Sequence, residues 1–182
     1  NKVSFQFVPL LTQQVVARSL PAQPTLAERN AQFKVHYNAI LAYKAALFQG
    51  KRKGRAFLLK MQTAVVADHQ QFSTDLALSL AQTCHLDIDM FKEDCSSDLA
   101  KQAFKTDQKL AAEMKITQSP SAVIFNCDVS QCGLLLNDVT YEALCEVCES
   151  QGIATKQSLM AEPTYAPNLG STTTLQPNLH VL

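Results

Sequence analysis

The chain has 182 residues, enough for one sizeable core and too few for two independent ones. Sixteen basic residues balance sixteen acidic ones, so no global field selects nucleic acid or an anionic membrane. No apolar run approaches the roughly 20 residues that a membrane span needs. Because it opens on Asn1 and not on a methionine, the sequence is read as a piece of a longer protein. Its six cysteines, Cys84, Cys95, Cys127, Cys132, Cys145 and Cys148, are expected to be reduced thiols of a cytosolic protein, since a chain with ordinary helices does not need disulfide staples.

In chain order, Val3-Ser4-Phe5-Gln6-Phe7-Val8 alternates and then turns apolar, which predicts a largely buried strand over 3–9 ended by Pro9. Residues 10–32, with Pro21 and Pro24, read as a connecting loop with at most one irregular turn. From Phe33 the period changes: Phe33, Tyr37, Ile40, Leu41, Leu47 and Phe48 recur at helical spacing, and Gly50 sits where such a helix would end. A second helix carries Phe57, Leu58, Met61 and Val65 inward. Ser73 is placed to cap a third, with Leu76, Leu80 and Cys84 on its buried side. Asp87 is placed to cap a short fourth around Met90 and Phe91, and Ser96 or Ser97 a longer fifth through Leu99, Ala103, Leu110 and Met114. The basic run Lys51-Arg52-Lys53-Gly54-Arg55 reads as a solvated turn between helices, with an anion site as the alternative.

After this helical block, 33–115, Ser121–Phe125 predicts a strand, a turn follows around Cys127 to Cys132, and Gly133-Leu134-Leu135-Leu136 predicts an antiparallel partner. Thr140 then caps a last helix, so that strand, strand and helix fill 119–150. A single domain is expected over 1–153. Residues 154–182, rich in Pro and Thr, form a tail or arm.

Cys145-Glu146-Val147-Cys148 is a literal Cys-X-X-Cys. A reactive pair of that kind has its first cysteine at a helix N-terminus, where the dipole favours the thiolate. With Thr140 as the cap, both cysteines fall further along the helix, on one apolar face with Tyr141 and Leu144, and are read as structural. Cys127 and Cys132 flank the turn as a bridge or as two thiols; sequence does not decide which. The cysteine spacings fit no known zinc module, and His36, His69, His85 and His180 are scattered without a nucleophile pattern. No metal or cofactor is expected.

The run Ala45-Ala46-Leu47-Phe48-Gln49-Gly50-Lys51-Arg52-Lys53-Gly54, followed by Phe57-Leu58-Leu59-Lys60-Met61-Gln62, Leu86–Asp94, Asp107–Met114 and Ser119–Asn126, resembles the DsbA-like branch of the thioredoxin superfamily. Within it, the chain is most similar to the Spx adaptor family of Gram-positive bacteria, which delivers a transcription regulator to the ClpXP protease. The resemblance implies an α/β thioredoxin-like sheet with a multi-helix insertion, here lacking the first strand-helix unit. In such folds a cis proline opens the strand that follows the helices, and the backbone beside it pairs with an extended partner. Carried over, that role falls on Ser119, Pro120 and Ser121.

The expected function is therefore a cytoplasmic binding protein with a protein partner and no enzymatic role, in which Lys51, Arg52 and Arg55 tune encounter rates. The alternative is a DsbA-type thiol-disulfide oxidoreductase or isomerase whose dithiol lies upstream of residue 1. A third reading is a family member that forms a homodimer through its tail.

Overall fold

The computed structural model describes residues 4–125, 133–137, 139–150 and 152. Its described residues fall into two compact units, one of residues 7–119, the other of residues 4–6 with those from 120 onward.

The first unit is helical: α1 (Gln13–Ala17), α2 (Leu26–Phe48), α3 (Lys51–Gln62), α4 (Thr74–Thr83), α5 (Ile88–Ser96) and α6 (Asp98–Glu113). A single π-helical turn, Thr63–Ala67, extends α3. The loop expected over 10–32 is replaced by α1 and by the first turns of α2. Thr25 and Glu28 form a reciprocal capping box: the Thr25 amide donates to Glu28 Oε2 at 2.7 Å and the Glu28 amide to Thr25 Oγ1 at 3.3 Å. Those first turns carry no apolar stripe, and Leu26 is 74% exposed, so cap chemistry and not periodicity sets the start.

Further along, α2 is buried almost all round. Leu41, Ala42, Tyr43, Lys44, Ala45 and Ala46 are consecutive buried residues, and α1, α3, α4, α5 and α6 all pack on the helix. Alanines there and at 77, 81, 100 and 111 allow close approach of helix axes. Phe57, Met61 and Phe91 fill the remaining space, with the two rings 5.4 Å apart, each contributing about 1.5–3 kcal/mol by burial.

Gly50, at φ +117°, closes α2 and opens α3. Beside it the Gln49 amide clasps the backbone of Asp87, accepting from its N–H at 2.7 Å and donating to its carbonyl at 2.9 Å. Ser73, Asp87 and Ser97 cap α4, α5 and α6 as expected, accepting from Leu76, Met90 and Ala100 amides. Leu99 is not on the buried face of α6: it is 58% exposed, and Ala100, Asp107 and Ala111 point inward. The basic run is not a turn either, but the first turn and a half of α3.

The strand expected over 3–9 is corrected for residues 4–9, which form no ladder. Side chains take the backbone groups a ladder would use. The Tyr43 hydroxyl donates to the Phe7 carbonyl at 3.4 Å, and Gln108 donates to the Pro9 carbonyl at 2.7 Å while accepting from the Leu11 amide at 3.4 Å.

In the second unit β1 (Ser121–Ile124) and β2 (Leu134–Asn137) pair antiparallel, Ser121 opposite Asn137 and Ile124 opposite Leu134. α7 (Tyr141–Ser150) follows, capped by Thr140, whose hydroxyl accepts from the Ala143 amide at 3.1 Å. The Cys127–Cys132 turn and the 154–182 tail, with the dimer contact expected of it, lie outside the described residues. Among the described residues no helix is long and apolar enough to cross a membrane.

Candidate functional site

The segment leading to Ser119 starts from a Schellman closure of α6. Lys115 adopts φ 56°, its amide donates to the Ala112 carbonyl at 3.0 Å, and the Ile116 amide donates to that of Ala111 at 2.9 Å. The chain then bends through residues 118–120. Ser119 is half-buried, and its carbonyl accepts from Arg18 Nη1 at 3.0 Å. Arg18 is the C-cap of α1, the helix that sequence reading missed. Pro120 and Ser121 are also half-buried. Ser121 opens β1, where its hydroxyl donates to Asn137 Oδ1 at 3.1 Å across the strand pair. Among the described residues β1 pairs only with β2.

Two of the described thiols, Cys95 and Cys148, are held toward the protonated form. Cys84, Cys95, Cys145 and Cys148 are free; Cys84 and Cys145 are buried, the other two partly so. In α7, Cys145 is the fifth residue and Cys148 the eighth, beyond the reach of the N-terminal dipole. Burial, with Cys145 as a lesser cause, pushes the Cys148 thiol up. Burial and then the neighbouring Asp94 push Cys95 up to about 11. Both effects hold sulfur in the protonated, weakly nucleophilic form.

Two arrangements were not visible in the sequence. His36 Nε2 lies 3.2 Å from Ser19 Oγ and 3.3 Å from Gln32 Nε2, and burial lowers its pKa. The Ser19 hydroxyl also lies 2.9 Å from the Val16 carbonyl, and among the described residues no carboxylate orients the ring. This is not a nucleophile-base pair. In the helical core, Lys44 of α2 forms an ion pair with Asp107 of α6. Burial raises the Asp107 pKa, opposed by its hydrogen bond and charge interaction with Lys44. Tyr43 beside it is pushed up to about 12, by burial first and then by Asp107, against a lowering by Arg55. The available signal was Lys44 itself, a lone charge inside the run from Ala39 to Phe48.

A helical block, a Ser-Pro bend, an antiparallel strand pair and a closing helix, in that chain order, make a thioredoxin-like α/β fold with a small two-stranded sheet and a multi-helix insertion. A family model described as Thioredoxin matches residues 1–147, and the chain belongs to that family. Within it, the chain is related to the ClpXP adapter proteins SpxH. That of Staphylococcus saprophyticus is 35% identical over 97 residues, covering 53% of this chain and 37% of that protein. That of Bacillus subtilis is 33% identical over 108 residues, 59% of this chain and 36% of that protein. For the Staphylococcus aureus protein (strain MRSA252) the figures are 31% over 115 residues, 63% and 43%. The chain thus spans about two fifths of the length of these relatives.

Proposed function

We propose that the chain is a cytoplasmic protein-binding module of adaptor type, of the DsbA-like branch, that presents a transcription regulator to ClpXP. The observation that carries the reading is the 31–35% identity to proteins named ClpXP adapter. The state of the described thiols supports it. A thiol-disulfide exchange site needs an accessible thiolate, whereas Cys148 and Cys95 are held protonated and Cys145 is buried.

In this proposal Ser119, Pro120 and Ser121 form the partner-binding loop, with a cis Ser119–Pro120 bond as in the resembling folds. Arg18 fixes the Ser119 carbonyl and Asn137 fixes the Ser121 hydroxyl. An extended partner adds along β1, where main-chain hydrogen bonds supply affinity and neighbouring pockets supply choice.

The test is reconstituted degradation of the regulator by ClpXP with and without the protein. Acceleration is expected, reduced about tenfold or more in Pro120→Ala, because a displaced loop misaligns every main-chain bond that follows. A folded protein that neither binds the regulator nor accelerates its loss removes the adaptor reading. Turnover of insulin disulfides by that protein would then favour the oxidoreductase alternative.

A further inference from the structure

α1 has little packing to hold it. Val16 is the buried residue of its five, and α2 is the helix it packs against. Polar contacts at its two ends set its place instead. At the front, Thr12 caps it by accepting from the Val15 amide at 3.2 Å. The residues just before are tied to α6, where Gln108 accepts from the Leu11 amide and donates to the Pro9 carbonyl. At the back, the Val16 carbonyl lies 3.2 Å from the Ser19 amide and 2.9 Å from the Ser19 hydroxyl.

The Ser19 hydroxyl is in turn 3.2 Å from His36 Nε2, and this contact joins the back end of α1 to the middle of α2. It is complementary in either tautomer of the ring. A hydroxyl oxygen accepts from an Nε2–H, and a hydroxyl proton goes to a bare Nε2. The contact is exposed, so its loss costs little global stability and is felt at the end of α1. Arg18 is the residue next to Ser19, and its Nη1 donates to the Ser119 carbonyl at 3.0 Å. The position of the Arg18 backbone decides how readily the guanidinium reaches that carbonyl.

We propose that His36 is a positioning residue for the partner-binding loop: through Ser19 it fixes the end of α1, and with it the Arg18 donor that holds the Ser119 carbonyl. His36, Ser19, Arg18 and Ser119 form a relay from α2 to the first residue of the loop, with no contact between His36 and the partner. A loop fixed before the partner arrives loses less freedom on binding. The proposal deepens the adaptor reading and rests on it for the loop's binding role.

The test uses the full chain. Ser119-Pro120 is its single Ser-Pro dipeptide, which makes the Ser119 carbonyl observable by itself. Isotope labelling of serine carbonyl carbons and proline nitrogens gives, by NMR, one serine carbonyl line split by a neighbouring nitrogen. Arg18→Met is expected to shift this line upfield, because the carbonyl loses a hydrogen bond. His36→Leu and Ser19→Ala are expected to shift it part of the way in the same direction. His36→Gln is expected to leave it near its original position, since an amide offers the hydroxyl both a donor and an acceptor. In the Arg18→Met background, His36→Leu adds nothing, a result that general loosening of the fold would not produce. Ser19 is exposed, so Ser19→Ala keeps the test open if His36→Leu does not fold. Release of the regulator is expected to quicken about fivefold in His36→Leu, and no further in the double variant than in Arg18→Met alone. A line that stays in place in Arg18→Met, or in both Ser19→Ala and His36→Leu, overturns the proposal. So does a His36→Leu shift that is as large in the Arg18→Met background. If the line responds as expected but the protein binds no regulator, the adaptor reading falls and the positioning role stands. If the protein delivers the regulator to ClpXP while the line does not respond, the reverse holds.

Discussion

Replacing Lys44 by methionine keeps the length of the side chain and removes its charge, leaving Asp107 alone in the core. The two side chains are each only 7% exposed, so water does not replace the lost partner. Asp107 then has two options. It stays ionised without a counter-charge, or it takes up a proton. Protonating a carboxyl of ordinary pKa 3.8 at pH 7 costs about 4 kcal/mol, at about 1.36 kcal/mol per pH unit, and this caps the loss. The value lies within the roughly 3–5 kcal/mol typical of a buried pair broken from one side. Lys44→Met is therefore expected to lose about 3–4 kcal/mol in urea unfolding at pH 7. The deficit should shrink as the pH is lowered toward 4, because protonation becomes cheap. The double variant Lys44→Met/Asp107→Leu, with neither charge buried, should recover most of the loss. A deficit below about 1 kcal/mol, one independent of pH, or a double variant worse than the single would refute the reasoning.

Gly54→Ala places a Cβ 2.6 Å from Leu47 Cδ2 and 2.8 Å from Leu47 Cα; a loss of about 1–3 kcal/mol is expected by thermal unfolding, despite the better helix propensity of alanine. His36, whose pKa is lowered by burial, takes up a proton less readily folded than unfolded. Stability should thus fall as the pH drops below about 6.5, and His36→Gln should flatten that part of the profile. The thiols of Cys95 and Cys148, both pushed up, should react with a disulfide reagent at pH 7 at least about tenfold more slowly in the folded protein than in urea. Equal rates would contradict their burial. Thr25→Ala should cost about 1 kcal/mol, with the increase in amide exchange confined to the first turn of α2.

Helix ends were largely legible in the sequence, because a cap is a local event. Ser73, Asp87, Ser97 and Thr140 each accept from an amide three residues on, and Gly50 takes the positive φ that a helix end favours. The strand pair was legible for a similar reason, a short apolar run on each side of a turn. What escaped depends on contacts distant in sequence. Residues 4–9 alternate like a strand, but the carbonyls of Phe7 and Pro9 accept from the side chains of Tyr43 and Gln108, far along the chain. The periodic face assigned to α2 supposed one wet side; the helix is central, so over Leu41–Ala46 it has none. Of the proposed loop, Ser119-Pro120 was visible as a dipeptide, whereas its restraint by Arg18 comes from a helix 101 residues earlier.

The basic start of α3 and the proposed loop differ in how firmly the fold holds them, and the difference bears on how each contributes to affinity. α3 is anchored by Phe57, Met61 and Gly54 in the core, and its leading corner by both Gln49 hydrogen bonds to Asp87. A partner that docks there orders little besides a few long side chains, a cost of about 0.5–1.5 kcal/mol for each. Among the described residues, Ser119 is held from outside its own segment by one exposed hydrogen bond, worth about 1 kcal/mol, from the end of a five-residue helix. Engagement at Ser119–Ser121 therefore includes the cost of fixing the loop, and its dissociation rate responds to whatever steadies that loop. The cations of α3 act earlier, on encounter, where charge sets the association rate. A partner that uses both elements would show salt-sensitive association governed by Lys51, Arg52 and Arg55, and dissociation governed by Arg18 and Pro120.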